Sequence, residues 1–132
     1  MRNYTFRLSP GQDLYNSIEM FVQETNIEAG CLLSGVGSLT QLTLRFANQE
    51  IHAVQTGHFE IVSMTGTLSI HGSHLHVSVS DGEGKTIGGH LVPGCSIYTT
   101  AEIVILVFDD LVYKREFAQD SGYEELVVYH KQ

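Results

Sequence analysis

The sequence predicts an α+β domain in which one helix near the N-terminus packs on a largely antiparallel sheet. Three observations carry this. Only the segment after Asp13 has helical spacing, with Leu14, Ile18, Phe21 and Val22 on one face. Several later segments alternate apolar and polar residues with a period of two, most strictly residues 73–80. Those segments are bounded by turn signals, of which Asp81-Gly82-Glu83-Gly84 is the strongest. The chain of 132 residues reads as a single domain, 1–132, long enough to bury roughly two-thirds of its unfolded surface without a disulfide or metal.

Each element follows from its residues. Positions 3–8 read as a first strand, ended by Ser9-Pro10-Gly11. Asp13 is the expected N-cap of a helix running to about Thr25. Residues 31–36 form a short apolar strand, and Gly35-Val36-Gly37 reads as a tight turn after it. The phosphate-loop alternative fails because no third glycine and no helix follow. Residues 39–46 alternate, with Leu42, Leu44 and Phe46 on one face and Gln41, Thr43 and Arg45 on the other. Gly57 opens a longer strand over 59–70, interrupted by Gly66. Residues 73–80 and 85–92 form a hairpin, ended by Pro93-Gly94. Residues 101–108 are apolar on both faces after Glu102 and read as a central, covered strand. The tail, 111–132, reads as another strand or a short helix.

Fifteen acidic residues against seven basic ones give a formal charge of −8, which argues against nucleic acid or an anionic membrane as the ligand. Lys114-Arg115 is too short for a nucleic-acid footprint, and Arg45, on the polar face of its strand, reads as a solvated edge charge, with binding of an anion or a partner carboxylate as the alternative. Cys31 and Cys95 are far apart in apolar surroundings and read as reduced, buried thiols. The first residues contain no apolar core of a signal peptide, and no apolar run approaches the ~18 residues of a membrane span. The expected compartment is therefore the cytoplasm. No serine sits in a GxSxG elbow.

The segment with the most chemistry is His74-Leu75-His76, followed by Gly88-Gly89-His90. On the alternating strand His74, His76, Ser78 and Ser80 share one face, and Leu75, Val77 and Val79 the other. Two imidazoles on one face, joined by a third from the neighbouring strand, would make a three-histidine site with one coordination position open on a tetrahedral zinc. Bound water there would have a pKa of ~7. The hairpin sets a condition. If the turn is even, Ser80 pairs with Lys85, and His90 falls opposite Leu75 on the core side. A bulge at Gly88-Gly89, or an odd turn, brings it beside the other two. Glu60, Asp81 and Glu102 are the acidic candidates for a partner or base, with Glu60 and Glu102 the catalytic candidates. His52, His58, His71 and His130 are scattered and read as surface residues.

Taken in order, Thr43-Leu44-Arg45, Gly57-His58-Phe59-Glu60-Ile61-Val62-Ser63-Met64-Thr65-Gly66, His74-Leu75-His76-Val77-Ser78, Asp81-Gly82, Gly88-Gly89-His90-Leu91 and Thr100-Ala101-Glu102 resemble the PPC domain, the plants and prokaryotes conserved domain. The similarity covers nearly the whole chain. It implies a compact unit with a strongly curved, mostly antiparallel sheet, assembly as a homotrimer, and a zinc or other divalent metal on His74, His76 and His90. In plants the domain follows AT-hook segments of DNA-binding nuclear proteins and mediates assembly. This sequence has no Arg-Gly-Arg-Pro hook, and fold kinship alone does not transfer function. Three functions follow as expectations. The first is a stand-alone metal-binding homotrimer acting on a small-molecule or protein partner. The others are a DNA-associated regulator by family analogy and a zinc-dependent hydrolase or lyase.

Overall fold

A computed structural model describes residues 1–132. Chain order is β1 (Arg2–Leu8), α1 (Leu14–Thr25), β2 (Gly30–Arg45), β3 (Ala53–Leu68), β4 (His74–Ser80), β5 (Thr86–Leu91), β6 (Ser96–Val107), β7 (Leu111–Ala118) and β8 (Tyr123–His130). The expected α+β class holds. Six strands form one sheet in the order β1-β6-β2-β3-β4-β5, and every pairing is antiparallel. A further pairing of β5 with β2, at Leu44–Leu91 and Arg45–His90, closes β2, β3, β4 and β5 into a ring. The strands β7 and β8 form a separate hairpin.

Asp13 is the N-cap of α1, as its sequence position indicates. Its Oδ2 accepts from the Asn16 amide at 2.8 Å. Its Oδ1 accepts from the amides of Gly94 and Cys95, so one carboxylate starts the helix and ties down the loop before β6. Leu14, Ile18 and Val22 bury one helix stripe in a core that also takes Leu39, Leu42 and Leu44 of β2, Leu75, Val77 and Val79 of β4, and Ile103 and Ile105 of β6. Phe21 stays partly exposed and stacks on Phe6 of β1, with ring centroids 4.5 Å apart.

Several expectations are corrected. The segments 31–36 and 39–46 are one 16-residue strand with register shifts at Leu32/Ser34, Gly37/Leu39 and Leu39/Gln41. Gly35-Val36-Gly37 is therefore no turn. Gly37 lies inside the strand because β6 passes so close that a Cβ would collide with the Thr100 carbonyl oxygen. Gly66 likewise does not interrupt β3, which runs through it. A Cβ there would collide with the His74 carbonyl oxygen of β4. The strand β6 is central, between β1 and β2, but only one of its faces is fully buried, with Ile97, Ala101, Ile103, Ile105 and Val107, while Val104 and Leu106 are half-buried. The tail is a two-stranded hairpin rather than a single strand or helix. Both cysteines are free, but Cys31 is half-buried and only Cys95 is fully buried.

Candidate metal centre

The hairpin of β4 and β5 sets the site. Ser80 pairs with Thr86, and the register continues through Val79–Ile87, Ser78–Gly88 and Val77–Gly89 to His76–His90. The turn therefore contains five residues, 81–85. Asp81 organises it: its Oδ1 accepts from the amides of Glu83 and Lys85 at 2.9 Å each, and the Gly84 amide donates to its carbonyl. An odd turn shifts the parity of β5, so His90 stands beside His76 on the outer face and Leu91 enters the core. Of the two routes the sequence left open, the odd turn operates. The double glycine is not a bulge. It is the place where β5 is pressed between its neighbours: a Cβ on Gly88 would lie 2.8 Å from the Val77 carbonyl oxygen of β4, and one on Gly89 2.8 Å from that of Arg45 in β2.

His74, His76 and His90 converge. Their ring centroids are 4.9, 5.2 and 5.6 Å apart pairwise, and their ligand atoms all lie within 4.8 Å of one another. The Nε2 atoms of His74 and His76 are 3.2 Å apart, close to the ~3.3 Å edge of a tetrahedron with metal–nitrogen bonds of about 2.05 Å. The other separations, up to 4.8 Å, are longer than that edge, and the terminal torsion of an imidazole is a soft degree of freedom. The Nδ1 atom of His90 is buried with no hydrogen-bond partner. Such an atom is costly in a finished structure and fits a cluster built around a cation. Two of the rings, His74 and His90, are biased toward the neutral form that ligands must adopt. Burial, then the charges of Arg45, His74 and His76, push the pKa of His90 down to about 4. Burial, then His76 and Arg115, lower that of His74.

The acidic candidates lie elsewhere. Glu60 of β3 is exposed opposite Ser38 of β2 and Ser80 of β4. With Asp81, His58 and Tyr98 it lines a separate cleft, in which the His58 and Tyr98 rings meet edge to face at 4.7 Å. Glu102 is exposed on β6 between Arg7 of β1 and Val36 of β2. Neither glutamate borders the histidines. The cleft that does is lined by His74, His90, Arg45 and Arg115, with Glu124 and Glu125 from β8. Sequence reasoning assigned neither arginine to the site. The position of Arg45 on the polar face of its strand was a usable signal. Arg115 lies on β7 and reaches Thr67 of β3, a contact with no local trace in the sequence.

A small barrel-like α+β domain with three imidazoles gathered on its outer face is the class that fold and site define. The model of the Plants and Prokaryotes Conserved (PCC) domain matches residues 1–109, and the chain belongs to that family. It is 45% identical over 126 residues to the bifunctional protein GlmU of a Synechococcus strain, covering 96% of this chain and 20% of that one; the chain thus spans about a fifth of that relative's length. It is 30% identical over 121 residues to the AT-hook motif nuclear-localized protein 20 of Arabidopsis thaliana, covering 87% of this chain and 43% of that one. Among solved structures, a hypothetical protein of Salmonella enterica superposes with a TM-score of 0.97 at 41% identity, over 99% of this chain and 95% of the other. A protein of Archaeoglobus fulgidus described as metal-containing gives 0.83 at 24% identity, over 96% and 94%, a likeness of fold. No helix of the chain is long and apolar enough to cross a membrane.

Proposed function

We propose that this chain is a homotrimeric, cytoplasmic metal-binding domain that holds zinc or a similar divalent cation on His74, His76 and His90 and acts by binding a small molecule or protein partner at the remaining coordination position. One observation carries the reading: three imidazoles from two paired strands meet at one point, and one of their nitrogens is buried without a partner. A bound zinc would supply a Lewis-acidic centre with one open position. The chain supplies the rest. The five-residue turn sets ring parity, and Gly88 and Gly89 let β5 close against both neighbours. Support for assembly comes from the exposed apolar residues Leu33 and Val36 on β2 and Val62 on β3, each more than half exposed.

The test is elemental analysis of the purified protein with light scattering. Zinc is expected at about one ion per chain, in a trimer, with the ion lost in each of His74→Ala, His76→Ala and His90→Ala. Wild-type protein that takes up no divalent metal would end this reading. A DNA-associated role draws on the name of the Arabidopsis relative, but a charge of −8 per chain opposes it, and gel-shift binding that weakens steeply with salt would be needed to restore it. A hydrolase or lyase needs a carboxylate within reach of metal-bound water. Glu124 and Glu125 border the histidine cleft; Glu60 and Glu102 do not.

A further inference from the structure

Two of the four arginines in this acidic chain stand at the mouth of the histidine cluster, from opposite flanks. Arg45 is the direct cross-strand neighbour of His90. Arg115 projects from the separate β7 hairpin and donates to the Thr67 hydroxyl at 3.0 Å, and Thr67 is the cross-strand partner of His74. The Arg115 stem packs over Gly72, where an added Cβ would lie 3.1 Å from its Cγ. Both arginines are half-buried, and neither makes an ion pair with any carboxylate. The only polar partner of Arg45 is the Gln49 carbonyl at 3.4 Å. The cleft between them has a volume of about 760 Å³, within the range of small-molecule sites.

Half-buried guanidiniums without carboxylate partners, in a chain with fifteen acidic residues, are available for an outside anion. Glu50, Glu124 and Glu125 also line the cleft, but all three are exposed. The arrangement is a cationic interior with an acidic rim, which favours a small anion over a polyanion such as a nucleic-acid backbone.

We propose that the histidine cleft binds a small molecule through an oxyanion group, a carboxylate or a phosphate, clamped between Arg45 and Arg115 with one oxygen directed at the point where the three imidazoles meet. This deepens the metal-site reading and rests on it for the oxygen's final partner; the guanidinium clamp is a feature of the chain itself. The planar fork of each arginine matches the paired oxygens of either group.

The test uses protein loaded with cobalt(II), whose visible absorption reports its ligands, titrated separately with inorganic phosphate and with acetate. Saturable change with one of the two is expected and identifies the class. Arg45→Gln and Arg115→Gln are each expected to weaken that binding about tenfold or more, with cobalt content unchanged. Circular dichroism checks that the variants fold, and Arg45→Lys gives a milder second probe at one position. No spectral change with either anion, or equal affinity in wild type and both glutamine variants, overturns the proposal. If the wild type takes up no cobalt, the metal reading fails by itself. The clamp is then decided by calorimetry on metal-free protein, where arginine-dependent binding sustains it and its absence overturns it.

Discussion

Glu19 illustrates how one side chain can work against the fold. Its Oε1 is buried with no hydrogen-bond partner. Burial raises its pKa above the usual carboxylate value, with the Ser73 hydroxyl pulling the other way. At acid pH both the folded and the unfolded chain keep this proton, and the ionisation penalty is absent. As pH rises past about 4.5, the unfolded chain releases its proton first. From there the folded state is progressively penalised, until the folded pKa is passed. Glu19→Gln removes the penalty. Its urea midpoint is therefore expected to exceed that of wild type at pH 7 and to match it near pH 4; equal midpoints at pH 7 would mean the carboxylate is solvated. Cys95 is shifted in the same direction, but from a higher starting value, so neutral pH leaves it uncharged. Burial pushes its thiol up to about 11, leaving it protonated and inert as a core residue bonded to Thr43.

The β4–β5 hairpin shows how an element turns a count of residues into chemistry. Side chains alternate along a strand, so the number of turn residues decides which face receives His90. Five residues place it beside His76. Deleting Gly82, which is exposed and would tolerate a Cβ freely, makes the turn even. This deletion is expected to abolish metal uptake, measured by elemental analysis, and to lower stability by exchanging an imidazole for Leu91 in the core. Retained metal would mean the strand absorbs the deletion by a bulge. The alternation of β4 and the presence of a hairpin were legible in the sequence. The parity of the turn was not, because Asp-Gly-Glu-Gly suits a four- or five-residue loop equally well. The five-residue form prevails here because Asp81 caps the amides of both Glu83 and Lys85 while the ladder restarts at Thr86.

At the scale of the molecule, ring closure through the β2–β5 pairing brings Arg45 to His90, and the C-terminal hairpin brings Arg115 to the opposite flank. That hairpin is anchored by hydrogen bonds from the Tyr113 amide to the Glu28 carbonyl and from the Ser69 hydroxyl to the Tyr113 carbonyl, and by Lys131 against Glu28 at 3.0 Å. It needs these ties because an isolated two-stranded ribbon is marginal in water. The outer face of β2 and β3 offers Leu33, Val36 and Val62 to a neighbour. Val36→Asp is expected to reduce the proposed trimer to monomer by light scattering while leaving circular dichroism unchanged. A trimer that survives would place the interface elsewhere.

The sequence by itself determined the α+β class, the helix with its Asp13 cap and the alternating β4 strand that puts His74 and His76 on one face, because each depends on local periodicity or on a short-range hydrogen bond. Only the tertiary structure decided that β2 and β3 are long continuous strands, that the double glycine serves ring closure, and that two distant arginines flank the imidazoles. Those outcomes depend on close approach between strands and on contacts between residues tens of positions apart. Such contacts leave no periodic mark on the chain that makes them.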